Sequence, residues 1–441
     1  MTYGVGRKPT LSPLDPKSPL GLQKGNIKTY LDGLRPLLLR SRFARLGIAL
    51  QCSSVIWGKI NRKESAIFHP FGDSGEGKSF CASIAMSIVG SAEKEDLGNH
   101  ATSLAGFERV LALLKNLLAI FDELGLTEDD SERVQVGKLV KMAFAFASGH
   151  GRTLAASAWG VGIKSSTWHQ YGLSTGEESL QEIAQRCAIK LKPGLTRRWI
   201  DIPFPPPLEG SLCDVKWDGE LLLVAERNAA ISLASKTITE NYGVALPVFI
   251  TWILAQNDLA EQVDIIAKNF AASYGNTGWA KEFVAVWAGV AAGGVMGVRA
   301  GIIPVKEEDM LKAMHRLCKK AMEYAAEGNL HPQKIFEKFK IAAMEEAACP
   351  LVKKGEQVNM GTLAMKFGFR REVGGELILF VHPKKLKALL GTDAAVVALA
   401  KKCDADGVLL RGSGGLTQPT TLSDGTEPRF YRFKWEAVKA P

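Results

Sequence analysis

Residues 72–79 read Gly-Asp-Ser-Gly-Glu-Gly-Lys-Ser and carry the most specific chemistry in this 441-residue chain. The spacing is GxxxxGK[ST], a pattern built to hold phosphate. Gly72, Gly75 and Gly77 allow the backbone to fold so that its N–H groups face phosphate oxygens, with Asp73, Ser74 and Glu76 completing the loop. A helix starting at its end adds the positive pole of its dipole. Lys78 is placed to neutralise the β- and γ-phosphates of ATP, and the Ser79 hydroxyl to ligate Mg²⁺. A chance match on a Gly-rich turn is the competing reading. Apolar residues 65–71 before the loop and a helical pattern over 79–89 after it weigh against chance, because the motif needs a strand and a helix on its two sides.

The second constellation is Leu117-Leu118-Ala119-Ile120-Phe121-Asp122-Glu123, 44 positions beyond Lys78 when counted to Asp122. An unbroken apolar run suits a strand buried on both faces of a parallel sheet. Its end can hold Asp122 near Ser79 as a metal ligand, leaving Glu123 to polarise an attacking water. Adjacent acids of this kind suit ATPases that use water, whereas transfer to a small-molecule acceptor does not need the second carboxylate. Residues 173–177, Leu-Ser-Thr-Gly-Glu, follow a strand pattern. Ser174 or Thr175 is either a sensor of the γ-phosphate or a helix N-cap. Arg197 and Arg198 precede Trp-Ile-Asp-Ile-Pro at 199–203, and either one supplies an arginine finger or both are ordinary surface residues. Gly149, His150, Gly151, Arg152 and Lys164 fit a DNA-facing turn or a solvated one.

The elements that must position these groups follow from periodicity. Residues 1–25 are rich in Pro and Gly and read as an arm; 27–60 read as one or two helices with Pro36 as a break. Helices are expected over 136–147, 221–232, 248–256, 259–274, 282–298, 306–327 and 332–348, with Pro247 just before the one at 248–256, where a proline suits a helix start. Strand or hairpin material is expected over 152–162, 168–175 and 199–203. Beyond 355 short helices over 360–367, 384–390 and 394–403 give way to β-rich pieces around 408–422 and 428–435.

Composition narrows the class. Hydrophobic residues make up 46% and charged residues 23%, as in folded globular domains. The net charge of +9 is confined to residues 1–64, with twelve Lys and Arg against three acids, and the rest is neutral. Arg7, Lys8, Lys17, Lys24, Lys28, Arg35, Arg40, Arg42 and Arg45 therefore either neutralise phosphates or solubilise a tail. Seven cysteines without a CxxC pair read as free thiols, and seven histidines show no metal spacing. The longest uncharged apolar run, 283–298, has 16 residues against the roughly 20 of a membrane span. It reads as a buried helix. Without a visible secretory signal the default compartment is the cytoplasm.

In ordered motifs the chain resembles the domain-of-unknown-function 927 family of phage, plasmid and genomic-island replication proteins. These are regarded as AAA+ ATPases akin to minichromosome-maintenance helicases. The resemblance runs from about residue 27 to 305 and is carried by GDSGEGKS, LLAIFDELG, ASGHGRT, LSTGEESL, RRWIDIP and the AAGG at 291–294. Arg152 stands where a lysine is common, and Gly294 where a glutamate is usual. The resemblance implies an α/β fold: a P-loop NTPase core of AAA+ type over 27–208 after a basic arm at 1–26. A helical lid over 209–352 and a winged-helix-like domain over 353–441 complete it. It implies ATP and Mg²⁺ as ligands, Lys78, Ser79, Asp122 and Glu123 at the reaction centre, Ser174 or Thr175 as sensor and Arg198 as finger. The expected function is an ATP-dependent DNA helicase of a mobile element, a homo-oligomeric and hexameric ring on single-stranded or forked DNA, with priming left to a separate primase and no membrane partner. The alternative is an ATP-driven initiator, loader or switch that remodels a partner, and a third reading is a DNA-binding module with a vestigial P-loop.

Overall fold

The computed structural model describes residues 19–439 except 61, 63, 94–97, 100–102, 123–130, 152–165, 190, 206–210, 215, 218–219, 275–277, 329–331, 346, 354–355, 364–365, 391–392 and 413–414. Most of the N-terminal arm and the strand or hairpin expected over 152–162 thus lie outside the described residues. Two compact units, Met1–Ala325 and Ala326–Pro441, divide the chain.

The first unit is a mixed α/β fold around a parallel sheet. Its strands are β1 (Ile67–Phe71), β2 (Gly98–Asn99), β3 (Ala119–Asp122), β4 (Gly172–Ser174) and β5 (Trp199–Pro203), in the order β2-β3-β4-β1-β5. Every pairing is parallel. Both faces are covered, which is why β1, apart from His69, and β3 up to Asp122 read as apolar runs and are buried along their whole length. Alternation divides the core into two. Phe68, Ile120, Leu173 and Ile200 pack toward α1 (Ile27–Arg40), α2 (Arg42–Ile60), α3 (Lys78–Ser87) and the helices beyond the sheet. Ile67, Ala119, Phe121 and Trp199 pack toward α4 (Leu104–Leu114), α5 (Glu132–Ser148) and α6 (Leu180–Arg186).

A small ribbon, β6 (Lys216–Trp217) with β7 (Glu220–Leu221), leads to five helices: α7 (Val224–Glu240), α8 (Ala245–Ala255), α9 (Leu259–Ala272), α10 (Gly278–Arg299) and α11 (Glu307–Gly328). Four of them match the periodicity closely, while α7 starts three residues after the expected 221 and runs eight residues past the expected 232. Among the described residues, the stretch Ala280–Arg299 alone is long and apolar enough to cross a membrane, and 78% of its apolar window is buried in protein. It packs on α2 so tightly that a Cβ at Gly293 would lie 2.0 Å from Ser53 Oγ. Small residues in the AAGG segment are thus a requirement of helix contact.

Three expectations are corrected here. Pro36 does not break the first helix: it sits inside α1, and the turn comes at Ser41. The residue whose carbonyl Pro36 leaves without an N–H, Asp32, is exposed, so water can take that bond. Pro247 lies in the first turn of α8 and not before it, a position where a missing N–H costs nothing. The basic segment is not a free cationic arm throughout. Arg45 is fully buried, donating to the Asp309 carbonyl at 2.5 Å, and Arg42 pairs with Asp214 at 2.5 Å.

The second unit contains α12 (Pro332–Met344), α13 (Met360–Leu363), β8 (Gly368–Val373), β9 (Glu376–Val381), α14 (Pro383–Leu390), α15 (Asp393–Ala405), β10 (Gln418–Pro419), β11 (Arg429–Lys434) and α16 (Trp435–Lys439). Its strands form an antiparallel sheet in the order β10-β11-β9-β8. The β8–β9 hairpin is absent from the periodicity reading, although Gly374-Gly375 announces it. Both glycines adopt the left-handed conformation, φ 62° and 83°, that a tight two-residue hairpin turn requires.

Candidate functional site

The Gly-rich loop joins the C-terminal end of β1 to the start of α3. Gly75 (φ 79°) and Gly77 (φ 98°) are left-handed, and a Cβ on Gly77 would meet Leu212 Cβ at 3.1 Å. The motif's glycines are therefore demanded by backbone conformation and by the segment behind the loop. Gly77 is the N-cap of α3, so Lys78 and Ser79 open the helix whose dipole points at the loop. The Lys78 ammonium is drawn back into the loop, donating to the carbonyls of Gly72 (2.8 Å) and Asp73 (2.5 Å). Burial holds its pKa below the usual lysine value, opposed by the carboxylates of Glu177, Glu76, Asp73 and Asp122. Those two carbonyl bonds are what a phosphate oxygen would replace. Glu76 accepts a hydrogen bond from Ser211, anchoring the loop on the side of residues 211–213.

Asp122 ends β3 and is buried, with its Oδ1 accepting a hydrogen bond from Thr175 Oγ1 at 2.5 Å. The Thr175 N–H donates to the Phe121 carbonyl at 3.1 Å, continuing the ladder past the end of β4. Because β4 stands between β1 and β3, its tip brings Ser174 and Thr175 between the loop and the acidic strand. Here a γ-phosphate sensor would have to be. The N-cap alternative is corrected: neither residue caps a helix, and the cap of α6 is Ser179. Glu123 lies outside the described residues. Ser79 and Asp122 offer hard oxygen ligands suited to Mg²⁺, which takes most of its shell from water and phosphate. No group of three or more His, Cys, Asp and Glu able to hold a metal occurs among the described residues.

Arg198 stands elsewhere. It precedes β5, whose parallel register with β1 runs from Ile67↔Trp199 to Phe71↔Pro203. Arg198 is therefore at the opposite end of the strands from the loop, about 20 Å from Gly72 along the strand direction. It donates to the Gly194 carbonyl at 2.5 Å and lies 4.8 Å from the Phe144 ring centroid. Burial and the neighbouring Arg197 hold its pKa below the usual arginine value. Arg197 is bound to Glu282. His150 is exposed; Gly151 N–H donates to the Ser166 carbonyl (2.8 Å) and Trp168 N–H to the Gly149 carbonyl (2.9 Å) in an antiparallel pairing, while Arg152 and Lys164 lie outside the described residues.

Two participants escape the motif reading. His69, in β1 itself, is completely buried beside the loop. Its Nε2–H donates to the Glu178 carbonyl (3.0 Å), because a carbonyl can only accept, and Nδ1 accepts from Ser174 Oγ (2.8 Å). Burial pushes its pKa down to about 4, with the Lys78 charge adding to the effect. The second is Tyr324 of α11, hydrogen-bonded to Ser179 Oγ at 2.6 Å and packed 4.9 Å from Phe71. It ties the helical part to both the β1 and β4 ends of the site. A histidine inside an otherwise apolar strand, Ile-Phe-His-Pro-Phe, was the available signal for the first. For the second there was none. All seven cysteines are free, six buried and Cys187 half-buried.

A mixed α/β protein with a parallel sheet, a Gly-rich loop ending in Lys78-Ser79 after β1 and an acidic strand tip at Asp122 is the class that fold and site define. Residues 17–167 match the family described as Domain of unknown function (DUF927), the family that the ordered motifs resemble. No curated protein matches the chain. A solved structure described as "SCCmec type IV Cch - active helicase" is similar over 94% of this chain and 72% of its own, at 17% identity and a TM-score of 0.49.

Proposed function

We propose that this protein is an ATP-hydrolysing motor of AAA+ type that works on DNA as a ring-forming helicase of a mobile element. The observation that carries the reading is the Thr175–Asp122 hydrogen bond held beside the Lys78 loop. It joins a hydroxyl, a carboxylate and a cation where the transferred phosphoryl group, its metal and the attacking water would meet. The backbone of residues 72–77 and Lys78 bind the phosphates of ATP. Ser79 and Asp122 would hold Mg²⁺, which when bound offsets the charge building up on the phosphoryl oxygens. Thr175 fixes the rotamer of Asp122 and offers its hydroxyl near the γ-phosphate. Glu123, next in sequence to Asp122, polarises the water.

Arg198 supports a ring. A residue about 20 Å along the strands from its own loop cannot reach that loop's nucleotide. It can reach one bound by a neighbouring copy, as an arginine finger supplied in trans does. In this reading residues 209–352 act as the lid and 353–441 as a winged-helix-like module, and Arg152 and Lys164 contact DNA. The test is ATP turnover with and without single-stranded DNA, using Glu123→Gln as control. DNA-stimulated hydrolysis that the variant lacks supports a DNA motor. Hydrolysis indifferent to DNA favours an initiator, loader or switch, and none at all leaves a binding module.

A further inference from the structure

Two arginines of the second unit converge on one aromatic ring. The β8-β9-β11 register places Phe369, Phe380 and Arg432 in one cross-strand row, and Arg371, Ile378 and Lys434 in the next. Alternation sends all six to the face that carries the Phe369–Phe380–Phe430 cluster. The opposite face, with Leu379, Val381, Tyr431 and Phe433, is packed by α12, α14 and α15. The guanidinium carbons of Arg371 and Arg432 lie 5.4 and 5.5 Å from the Phe380 ring centroid.

Among the described residues, none of the three cations has a carboxylate partner. Arg432 donates only to neutral acceptors, Gln418 Oε1 (2.9 Å), the Pro419 carbonyl (2.5 Å) and Thr420 Oγ1 (3.1 Å), and its buried Nε has no partner. The side chains of Arg371 and Lys434 make no hydrogen bond or ion pair among the described residues, and all three are half-exposed. Glu376 shares this face two register pairs beyond Arg371 and forms no ion pair with it among the described residues. Burial and the Arg371 charge depress the Arg432 pKa, so the cations repel and an anion relieves them.

We propose that this face binds the phosphodiester backbone of nucleic acid, with Arg371, Arg432 and Lys434 each taking phosphate oxygens. A polymer fits better than one small anion, because β9 separates β8 from β11 and the Arg371 and Lys434 backbones are therefore about 10 Å apart. The aromatic rings of the face are buried and offer no base-stacking platform, so recognition is independent of sequence. This deepens the DNA reading above and rests on it for the identity of the polymer.

The test measures binding of a fluorescein-labelled single-stranded oligonucleotide to the full chain without nucleotide, by anisotropy, between about 50 and 200 mM salt. The double variant Arg371→Gln/Lys434→Gln removes two phosphate contacts. It is expected to bind about 10-fold more weakly at the lower salt and to flatten the slope of log K against log salt by about 1.4. Arg371→Lys, which keeps the charge, should retain the slope, and DNA-free ATP turnover should be unchanged in both. Wild-type binding with an unaltered slope in the double variant overturns this inference and leaves the motor reading standing. Absence of binding by the wild type sinks both. Loss of binding in the double variant of a chain without ATPase activity sinks the motor reading alone. Displacement of the oligonucleotide by an acidic peptide at equal charge concentration would assign the face to an acidic protein partner and overturn the phosphate assignment.

Discussion

His69 makes the first unit acid-sensitive by an amount that the structure allows to be worked out. The ring is neutral and buried in the fold, with pKa about 4 against 6.5 for an ordinary histidine. A depressed histidine pKa means that the unfolded chain takes up the proton first. The full contribution to stability is therefore present above pH 6.5 and is lost as pH falls through 4. At 1.36 kcal/mol per pKa unit the loss is about 3 kcal/mol, with a slope approaching 1.4 kcal/mol per pH unit between those limits. Asp201 works in the opposite direction. Burial raises its pKa from 3.8 to about 7, so its contribution is present below pH 3.8 and lost as pH rises through 7. The two trends oppose each other between pH 4 and 6.5, and the wild-type curve alone conceals both. His69→Gln keeps a neutral side chain able to donate and accept, yet does not titrate. Urea unfolding of wild type and variant at intervals from pH 7.5 to 4 gives the difference in stability, in which the Asp201 contribution cancels. That difference should shift by about 3 kcal/mol in favour of the variant on going to pH 4. A difference constant to within about 0.5 kcal/mol over the whole range would refute the assignment of a buried, neutral His69.

Further outcomes follow from the same geometry. Thr175→Val removes the donor to the buried Asp122 carboxylate, a hydrogen bond to a charged group worth about 1.5–3 kcal/mol, and should lower ATP turnover about 10- to 100-fold while nucleotide binding is kept. Equal loss of binding and turnover would contradict a role in positioning Asp122. Mixing Arg198→Ala with Lys78→Ala chains should restore part of the turnover that each lacks alone, because a finger acting in trans regenerates intact interfaces; no recovery at any ratio argues for separate sites. Gly374→Ala forces a side chain into a left-handed position and should destabilise the second unit by about 1–2 kcal/mol, read as a lower unfolding midpoint.

How much of this was legible beforehand varies by element. The Gly-rich loop and the acidic strand end are local motifs, and their neighbours β1, α3 and β3 fall where periodicity put them. The helices from α8 to α11 were legible for the same reason, since each shows its buried stripe in its own residues, whereas the stripe of α7 lies mostly beyond its expected end. The β8–β9 hairpin was missed because Arg370, Arg371 and Glu372 interrupt its alternation, leaving only the paired glycines as a signal. Pro36 was misjudged because a proline's effect depends on whether water reaches the carbonyl it leaves unpaired. Arg42 and Arg45 looked like solvated charge, and only the fold supplies Asp214 and the Asp309 carbonyl from far along the chain.

Sequence alone determined which residues could hold phosphate and metal, because the loop's backbone conformations and the run of apolar residues before Asp122 are written within a few positions of one another. Tertiary structure alone decided how they meet. The insertion of β4 between β1 and β3 brings Thr175 to Asp122, and the parallel register of β5 carries Arg198 to the far end of the sheet from its own loop. Strand order and register are set by how whole elements cover the two faces of the sheet. No short stretch of residues encodes that packing.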